Sequence, residues 1–490
     1  MTYQATLRGA AAVLAVAALA LFPATPALAS GFQLIEQNAS GLGNAYAGQA
    51  ASVKDASAIY FNPAALTRLE GKNLVIAGNV IGIETKFHDS ASTRPSLGGQ
   101  TFPVPLGGEG GDAGSWIPIP EIYFSWQAAS QVWVGIGFNV PFGLETDWDP
   151  DWMGRFHGTN SKIETYNVNP TIAVKLNDSI SIGGGANWRH AKATLKQAVP
   201  YGGVSFYGAY AAVYAQVLAQ TGSAAIANAT ATAAAGGIAA QLGSSGLARE
   251  GEAAIEGDSN AWGYNVGALV KLGEKGHFGV SYRSAIKQDL EGTVEFGNAP
   301  TFATSGPVGA VGASLNARFA NGPVQTEVEW PDTFSAALSY EGEKVELMAD
   351  YTWTGWSSIQ SLEIARGDGS ALSSVPLNFE DVFRVGLGAN VKMNDKWTLR
   401  LGTAYDQAPV QEEFRTPRLP DTGRYWAAFG FQYRLSEKSA IDFGYAHIFF
   451  AEAFSNLPNQ GTPTDSPKGA LIGEYKAQVN ILSIQYRHSF

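Results

Sequence analysis

Side chains suited to covalent or metal chemistry are few and scattered. The 490 residues include six histidines and no cysteine. They contain no GxSxG elbow leading into a helix, no ligand set at metal spacing and no Walker loop. Gly183-Gly184-Gly185 lies within a strand run, so it reads as a bulge or a point of close approach rather than a phosphate cradle. A lipid hydrolase would need a Ser and a His placed together on one wall, and spacing singles out no such pair. The reading is therefore of a non-enzyme with no cofactor and no metal. Two groups of residues suit recognition instead. In Asn62-Pro63-Ala64 the proline fixes the backbone and the Asn amide can serve buried partners, as in a tight turn. In the run Val132 to Val140, Gly135 and Gly137 have no side chain to pack, and the following Pro141 has no N–H for the ladder. A bend or lost neighbour at this point accounts for these residues, and so does a harmless edge irregularity.

The elements that position these residues follow a secretory signal. Arg8 supplies a positive n-region, Gly9 to Phe22 an apolar run, and Ala27-Leu28-Ala29 a small-residue cleavage site, so residues 1–29 are expected to be removed and the mature chain to begin at Ser30. The apolar run falls short of the about 20 residues of a spanning helix, and no later segment reaches that length. The formal net charge of -11 argues against nucleic acid as a partner. A secreted chain of this size without disulfides must gain stability elsewhere, and a closed hydrogen-bonded sheet is one way. Its mean hydropathy of -0.05 suits a transmembrane barrel, whose strands alternate lipid-facing apolar and lumen-facing polar residues.

Periodicity supports that class. Trp397, Leu399, Leu401 and Tyr405 alternate with Thr398, Arg400, Gly402 and Asp406. Tyr425, Ala427, Phe429, Phe431, Tyr433 and Leu435 alternate with Arg424, Trp426, Ala428, Gly430, Gln432 and Arg434, a lipid face opposite a wet one. Short polar turns fall at 128–131, 177–178, 273–276, 341–343, 394–395 and 436–438. Long connections fall at 88–117, 142–160, 198–258, 297–324, 359–377, 408–421 and 451–473. Six short turns alternating with seven long loops require fourteen strands with both ends on the short-turn side, the asymmetry of an outer-membrane barrel. Within the loop at 198–258, Tyr207 to Leu218 has helical spacing, and the Ala-rich tract to Leu247 reads either as more helix or as a disordered insertion.

Ser30 to Gly71 has no sustained period and no core of its own, so it needs a container. Its wording resembles the N-terminal plug, or hatch, of the FadL-type outer-membrane transporters of long-chain fatty acids and hydrophobic compounds. The matching stretches are Gly31-Phe32-Gln33-Leu34, Glu36-Gln37, Ser40-Gly41-Leu42-Gly43, Ala45-Tyr46-Ala47-Gly48 and Tyr60-Phe61-Asn62-Pro63-Ala64. Pro141-Phe142-Gly143-Leu144 also resembles the family, as does the stretch from Asp147 to His157, expected to form an extracellular loop with an aromatic apolar surface. The terminal Phe490 resembles the signal by which such chains are handed to the barrel assembly machinery.

The resemblance implies an all-β, fourteen-stranded antiparallel transmembrane barrel over 73–490, with a plug over 30–72 inside its lumen. It implies passive uptake of a long-chain fatty acid or another hydrophobic small molecule across an outer leaflet of lipopolysaccharide that resists such solutes. Ser30, Gly31 and Phe32 would reach into the ligand pocket. Lys192 falls where the family has a basic pocket residue, with Arg189 the second choice and Trp188 beside it; a solvated lysine on the strand's extracellular extension is the other reading. Asn62, Pro63 and Ala64 form the plug motif, paired by the family with wall residues at Asp381 and Arg424, although Asp381 shares its parity with Phe379 and Phe383. A kinked third strand, carrying Gly135, Gly137 and Pro141, would open a side passage. Uptake of monoaromatic hydrocarbons is the alternative within the family, and a lipid hydrolase or a structural or adhesive barrel the alternative outside it.

Overall fold

The computed structural model describes residues 31–97, 100–458 and 468–490. The expected signal segment and Ser30 lie outside the described residues, as does part of the expected loop at 451–473. Fourteen antiparallel strands close into one barrel. In chain order they are β1 (Lys72–Asp89), β2 (Trp116–Ala129), β3 (Val132–Asn139, resumed at Gly143–Asp147), β4 (Asn160–Lys175), β5 (Ile180–Val199), β6 (Gly251–Leu272) and β7 (Gly276–Arg283 and Ile286–Gly297). The second half is β8 (Gly322–Trp330 and Thr333–Glu341), β9 (Val345–Thr354 and Ser361–Arg366), β10 (Ala371–Pro376 and Val382–Lys392), β11 (Trp397–Asp406), β12 (Arg424–Arg434), β13 (Ser439–Phe450 and Ala453–Leu457) and β14 (Leu471–Ser489).

Closure comes from β1 against β14, paired from Asn73 opposite Ser489 to Asp89 opposite Gly473, so neither terminal strand leaves an open edge. Alternation sorts the side chains as the sequence requires. On β12 Tyr425, Phe429 and Phe431 are exposed to the lipid side while Trp426, Ala428 and Gln432 are buried in the lumen. All six expected short turns join consecutive strands. The long connections are more ordered than expected. The stretch at 359–377 is a hairpin of Ser361–Arg366 and Ala371–Pro376, turned at Gly369 with φ of 85°, because both arms carry their own ladder and need no loop. In the Ala-rich insertion β5 runs on to Val199 and β6 begins at Gly251, leaving a helical hairpin between them.

Residues 31–71 fill the lumen. Their helices, α1 (Ala39–Leu42), α2 (Gln49–Ser52) and α3 (Ala58–Phe61), are single turns that would not persist alone. Packing against the wall holds them. A Cβ on Gly279 of β7 would stand 1.9 Å from the Ala50 carbonyl oxygen, so the plug backbone lies directly on the sheet there. At the short-turn end Lys54 ties the plug to Glu341 and Glu346 at 3.1 and 3.0 Å. At the opposite end α4 (Tyr201–Thr221), α5 (Ala224–Ala239) and α6 (Gly309–Arg318) cover the mouth around a core that includes Phe102, Val204, Ile238 and Phe319. The loop from Asp147 to His157 does not present an aromatic surface. Trp148, Trp152, Met153 and Phe156 are buried, Trp152 packing on Trp148 and Phe87, because a large aromatic stabilises more inside than exposed.

Candidate functional site

The third strand breaks at Val140–Phe142. Asn139 faces Asn167 and Gly143 faces Glu164, so three residues of β3 stand against Thr165 and Tyr166 of β4. One extra residue in a strand bends it and disturbs the ladder. The consequence falls on the other neighbour. β2 pairs with β3 only up to Ile122 opposite Phe138, so Trp116–Glu121 is bonded to β1 alone and has no strand partner on its β3 side. The plug takes up the groups this frees. Leu34 N–H donates to the Pro141 carbonyl at 2.9 Å, Gln37 Nε2 to the Val140 carbonyl at 2.9 Å, and Gly143 N–H to the Phe32 carbonyl at 3.0 Å.

Beside the notch lies a cavity of about 570 Å³, lined by Leu34, Glu36, Ile119, Val140 and Phe142 among others. Phe32, Leu144, Ile163 and Leu419 separate it from a strongly apolar pocket of about 130 Å³ that also touches Trp330 and Val328. That pocket meets, across Leu195, Ile255, Ile364 and Arg418, an outer cavity of about 430 Å³ beneath α6. Phe32 stands at the junction with Phe142, Trp330 and Trp356, ring centres 4.7 to 6.2 Å away.

Parity on β5 decides which basic side chain turns into the lumen, where Phe142, which lines the larger cavity, lies between Arg189 and that space. Arg189 points inward, 1% exposed, with its guanidinium 4.8 Å from the Phe142 ring centre. Its guanidinium has no hydrogen-bond acceptor or carboxylate partner among the described residues, a costly state for a buried cation. Lys192 is a correction. It borders the apolar pocket, but its side chain has the outward parity and its ammonium meets Glu256 at 3.6 Å on the exposed face. Trp188 shares that outward parity, opposite the exposed Trp262 of β6, and so also faces away from the interior.

The described outer-membrane protein transport protein family (OMPP1/FadL/TodX) has a model that matches residues 20–490. The chain belongs to this family. It is similar to the long-chain fatty acid transport protein of Escherichia coli K12, 25% identical over 437 residues covering 86% of this chain and 89% of the relative. It is also similar to outer membrane protein P1 of Haemophilus influenzae, 24% identical over 87% of this chain and 88% of that one. Among solved structures, a Pseudomonas aeruginosa FadL homologue superposes with a TM-score of 0.77 at 22% identity, covering 94% of this chain and all of that one. The Pseudomonas putida toluene transporter TodX gives 0.59 at 15%, covering 91% and 98%. At these identities the structures speak for the fold alone. The protein is an outer-membrane barrel of a transport family.

Within this FadL-type barrel the plug motif is seated on the sheet rather than on charged partners. Asn62 donates from Nδ2 to the carbonyls of Ala50 at 2.6 Å and Ala268 at 3.0 Å, and its Oδ1 accepts from Ala64 N–H at 3.1 Å. Gly183 and Gly267 make this possible, since a Cβ would lie 2.7 Å from Ala64 N at the first and 2.1 Å from Asn62 Oδ1 at the second. Close approach is therefore the use of the glycine run at 183–185.

The expected wall partners need correction. Asp381 is exposed and accepts from Ser357 N–H at 2.9 Å, because its outward parity keeps it from the lumen. The buried acid that does seat the plug is Asp350 of β9, which accepts from Gly48 N–H at 3.1 Å and pairs with Arg384 at 3.3 Å; Arg384 in turn donates to the Ala45 carbonyl. Lumen parity is the signal for both, Arg384 on β10 and Asp350 on β9, where it alternates with Ala349 and Tyr351. Arg424 does touch the plug, at the Gly31 carbonyl (2.9 Å) and not at Asn62. Asp421 completes the clamp, accepting from Gly31 N–H at 2.9 Å and from Arg424 at 2.7 Å. Burial pushes the Asp421 carboxyl up to about 6 despite the neighbouring Arg424.

Gly135 and Gly137 do not form the break. Both sit in continuous ladder with β2 and β4, and a Cβ there would stand 2.7 Å from Ile59 and 2.8 Å from Tyr123 respectively. They make room for the plug. Of the three residues expected there, Pro141 alone lies in the break.

Proposed function

We propose that the protein imports long-chain fatty acids or closely related amphiphiles by diffusion, from an apolar interior pocket to the membrane through the notch beside β3. The interrupted pairing of β2 at Trp116–Glu121, with a cavity of about 570 Å³ behind it, is the observation that carries the lateral route. A ligand that moves sideways from apolar pocket to bilayer never exposes its chain to water, which at ~25 cal/mol per Å² of apolar surface is the dominant cost of any axial path. The axial path is in addition filled by the plug. Buried Arg189, without a protein counter-charge, favours a carboxylate over a neutral aromatic hydrocarbon, since a hydrogen bond to a charged group is worth about 1.5 to 3 kcal/mol.

Gly143 offers the test. Gly143 lines the cavity, and a Cβ there would meet Leu34 at 3.0 Å and the Ile163 carbonyl oxygen at 3.9 Å. Gly143→Trp should fill the passage while the pocket beyond Phe32 still binds ligand. Uptake by cells is expected to fall at least tenfold with oleate affinity of the purified protein within a few-fold of wild type, a difference of about 1.4 kcal/mol or more in the transport step alone. Normal uptake by a folded Gly143→Trp barrel would refute the lateral route.

A further inference from the structure

Arg418 lies in the loop between β11 and β12, and it borders both the outer cavity beneath α6 and the apolar pocket within. Three neutral acceptors hold it: Nη1 donates to the Asn160 carbonyl at 3.1 Å and to Ser161 Oγ at 2.9 Å, and Nη2 to Gln197 Oε1 at 3.0 Å. A guanidinium carries five N–H groups. The Nε–H and one Nη2–H therefore have no acceptor among the described residues, and no carboxylate pairs with Arg418 there. The loop itself is anchored, Trp148 Nε1 donating to the Pro417 carbonyl at 3.0 Å and Thr146 Oγ1 to the Arg418 carbonyl at 3.5 Å. The side chain is thus held through both Nη atoms and lines the two cavities.

Its surroundings make that position specific. The two cavities meet across Leu195, Ile255, Leu362, Ile364 and Val375, so the throat is apolar apart from this one cation. On the outer side, Arg318 and Arg366 line the approach together with Asp368, and Arg366 already spends its Nη groups on the Ala320 and Arg318 carbonyls. Burial pushes the Arg418 guanidinium down to about 10, the cost of keeping a cation in an apolar throat without a counter-charge. It stays charged at neutral pH.

We propose that Arg418 is a carboxylate-binding station at the throat, engaging the head of a long-chain anion through its free N–H edge before the ligand passes to the inner pocket. An oxyanion with two oxygens matches two parallel N–H donors, and the apolar walls take the chain. Arg418 acts here ahead of Arg189, and the inference rests on the fatty-acid reading given above. A station on the path governs how fast the ligand passes in both directions, whereas the cation at the end of the path governs the equilibrium affinity.

Purified protein in detergent, mixed rapidly with a long-chain fatty acid or the fatty alcohol of equal length, distinguishes the cases. Wild type should bind the acid faster than the alcohol. Arg418→Gln should slow association and dissociation of the acid by the same factor, about tenfold, leaving its equilibrium affinity unchanged, and should leave both rates of the alcohol within about twofold; Arg418→Lys should recover most of the acid rates because it keeps a charge. Equal slowing of acid and alcohol would show that Arg418 only anchors its loop, and an unchanged acid rate would show that entry bypasses it; either overturns the proposal. The two levels of inference fail differently. A wild type that does not distinguish acid from alcohol overturns the fatty-acid reading as well, while an acid preference that survives Arg418→Gln overturns only the role of Arg418.

Discussion

Leu34 donates its backbone N–H to the carbonyl of Pro141 at 2.9 Å. The first residues of the plug thus occupy ladder groups that β3 abandons at its break, and Gln33 forms a bridge with Phe142 beside them. The plug and the notch are one hydrogen-bonded unit.

Gln37 supports the same unit, donating from Nε2 to both Val140 and Leu34 carbonyls at 2.9 Å. Gln37→Leu leaves the Val140 carbonyl buried and unpaired, a cost of about 1–3 kcal/mol. Hydrogen exchange should quicken at 31–37 and at 140–143 together, while the rest of the barrel keeps its protection. Faster exchange in the plug alone would separate the two elements.

On β5, Arg189→Gln should weaken binding of fatty acids about tenfold or more relative to matched hydrocarbons, since the charge-assisted contact is worth about 1.5–3 kcal/mol. Lys192→Ala removes only an exposed pair with Glu256, worth about 0–1 kcal/mol, and should change neither ligand. Titration calorimetry of both variants checks the assignment; a carboxylate-specific loss in Lys192→Ala would reverse it.

The Gly31 clamp should depend on pH through Asp421. Its carboxyl is raised from 3.8 to about 6 by burial, so the protonated form is the better accommodated one in the folded protein. The favourable contribution is complete below about pH 4 and is lost as pH rises through about 6, up to about 3 kcal/mol in all. Protection of the Gly31 amide should therefore be greater at pH 4.5 than at pH 7.5. Asp421→Asn should remove most of that difference, and an undiminished slope in the variant would assign it to another group.

Gly135→Val with Gly137→Val should displace the plug rather than straighten the strand, because the added carbons meet Ile59, the Phe124 carbonyl oxygen at 3.0 Å and Tyr123. Vesicles carrying the variant should swell in small sugars that wild type excludes, or the variant should assemble in lower yield. A well-assembled, sealed barrel that merely stops importing fatty acid would restore the glycines to the passage itself.

The number of strands and the sidedness of the barrel were legible in the sequence because alternation has a period of two and the short turns carry their own chemistry; Tyr425 and Trp426 announce their faces without help from any distant residue. The plug was legible from the opposite signal, a stretch from Ser30 to Gly71 with no face to bury and motifs shared with one family. Site residues were harder, and the reason is again parity. One position separates Arg189 from His190 and three separate it from Lys192, so a basic residue chosen by neighbourhood alone lands on the lipid side as readily as in the lumen. Asp421 and Arg418 carry no local mark, and Asp350 carries only its lumen parity. They matter because barrel closure brings β9, and the loop after β11, against the plug and against β4 and β5, contacts that separate residues by hundreds of positions along the chain and that only the folded sheet can set.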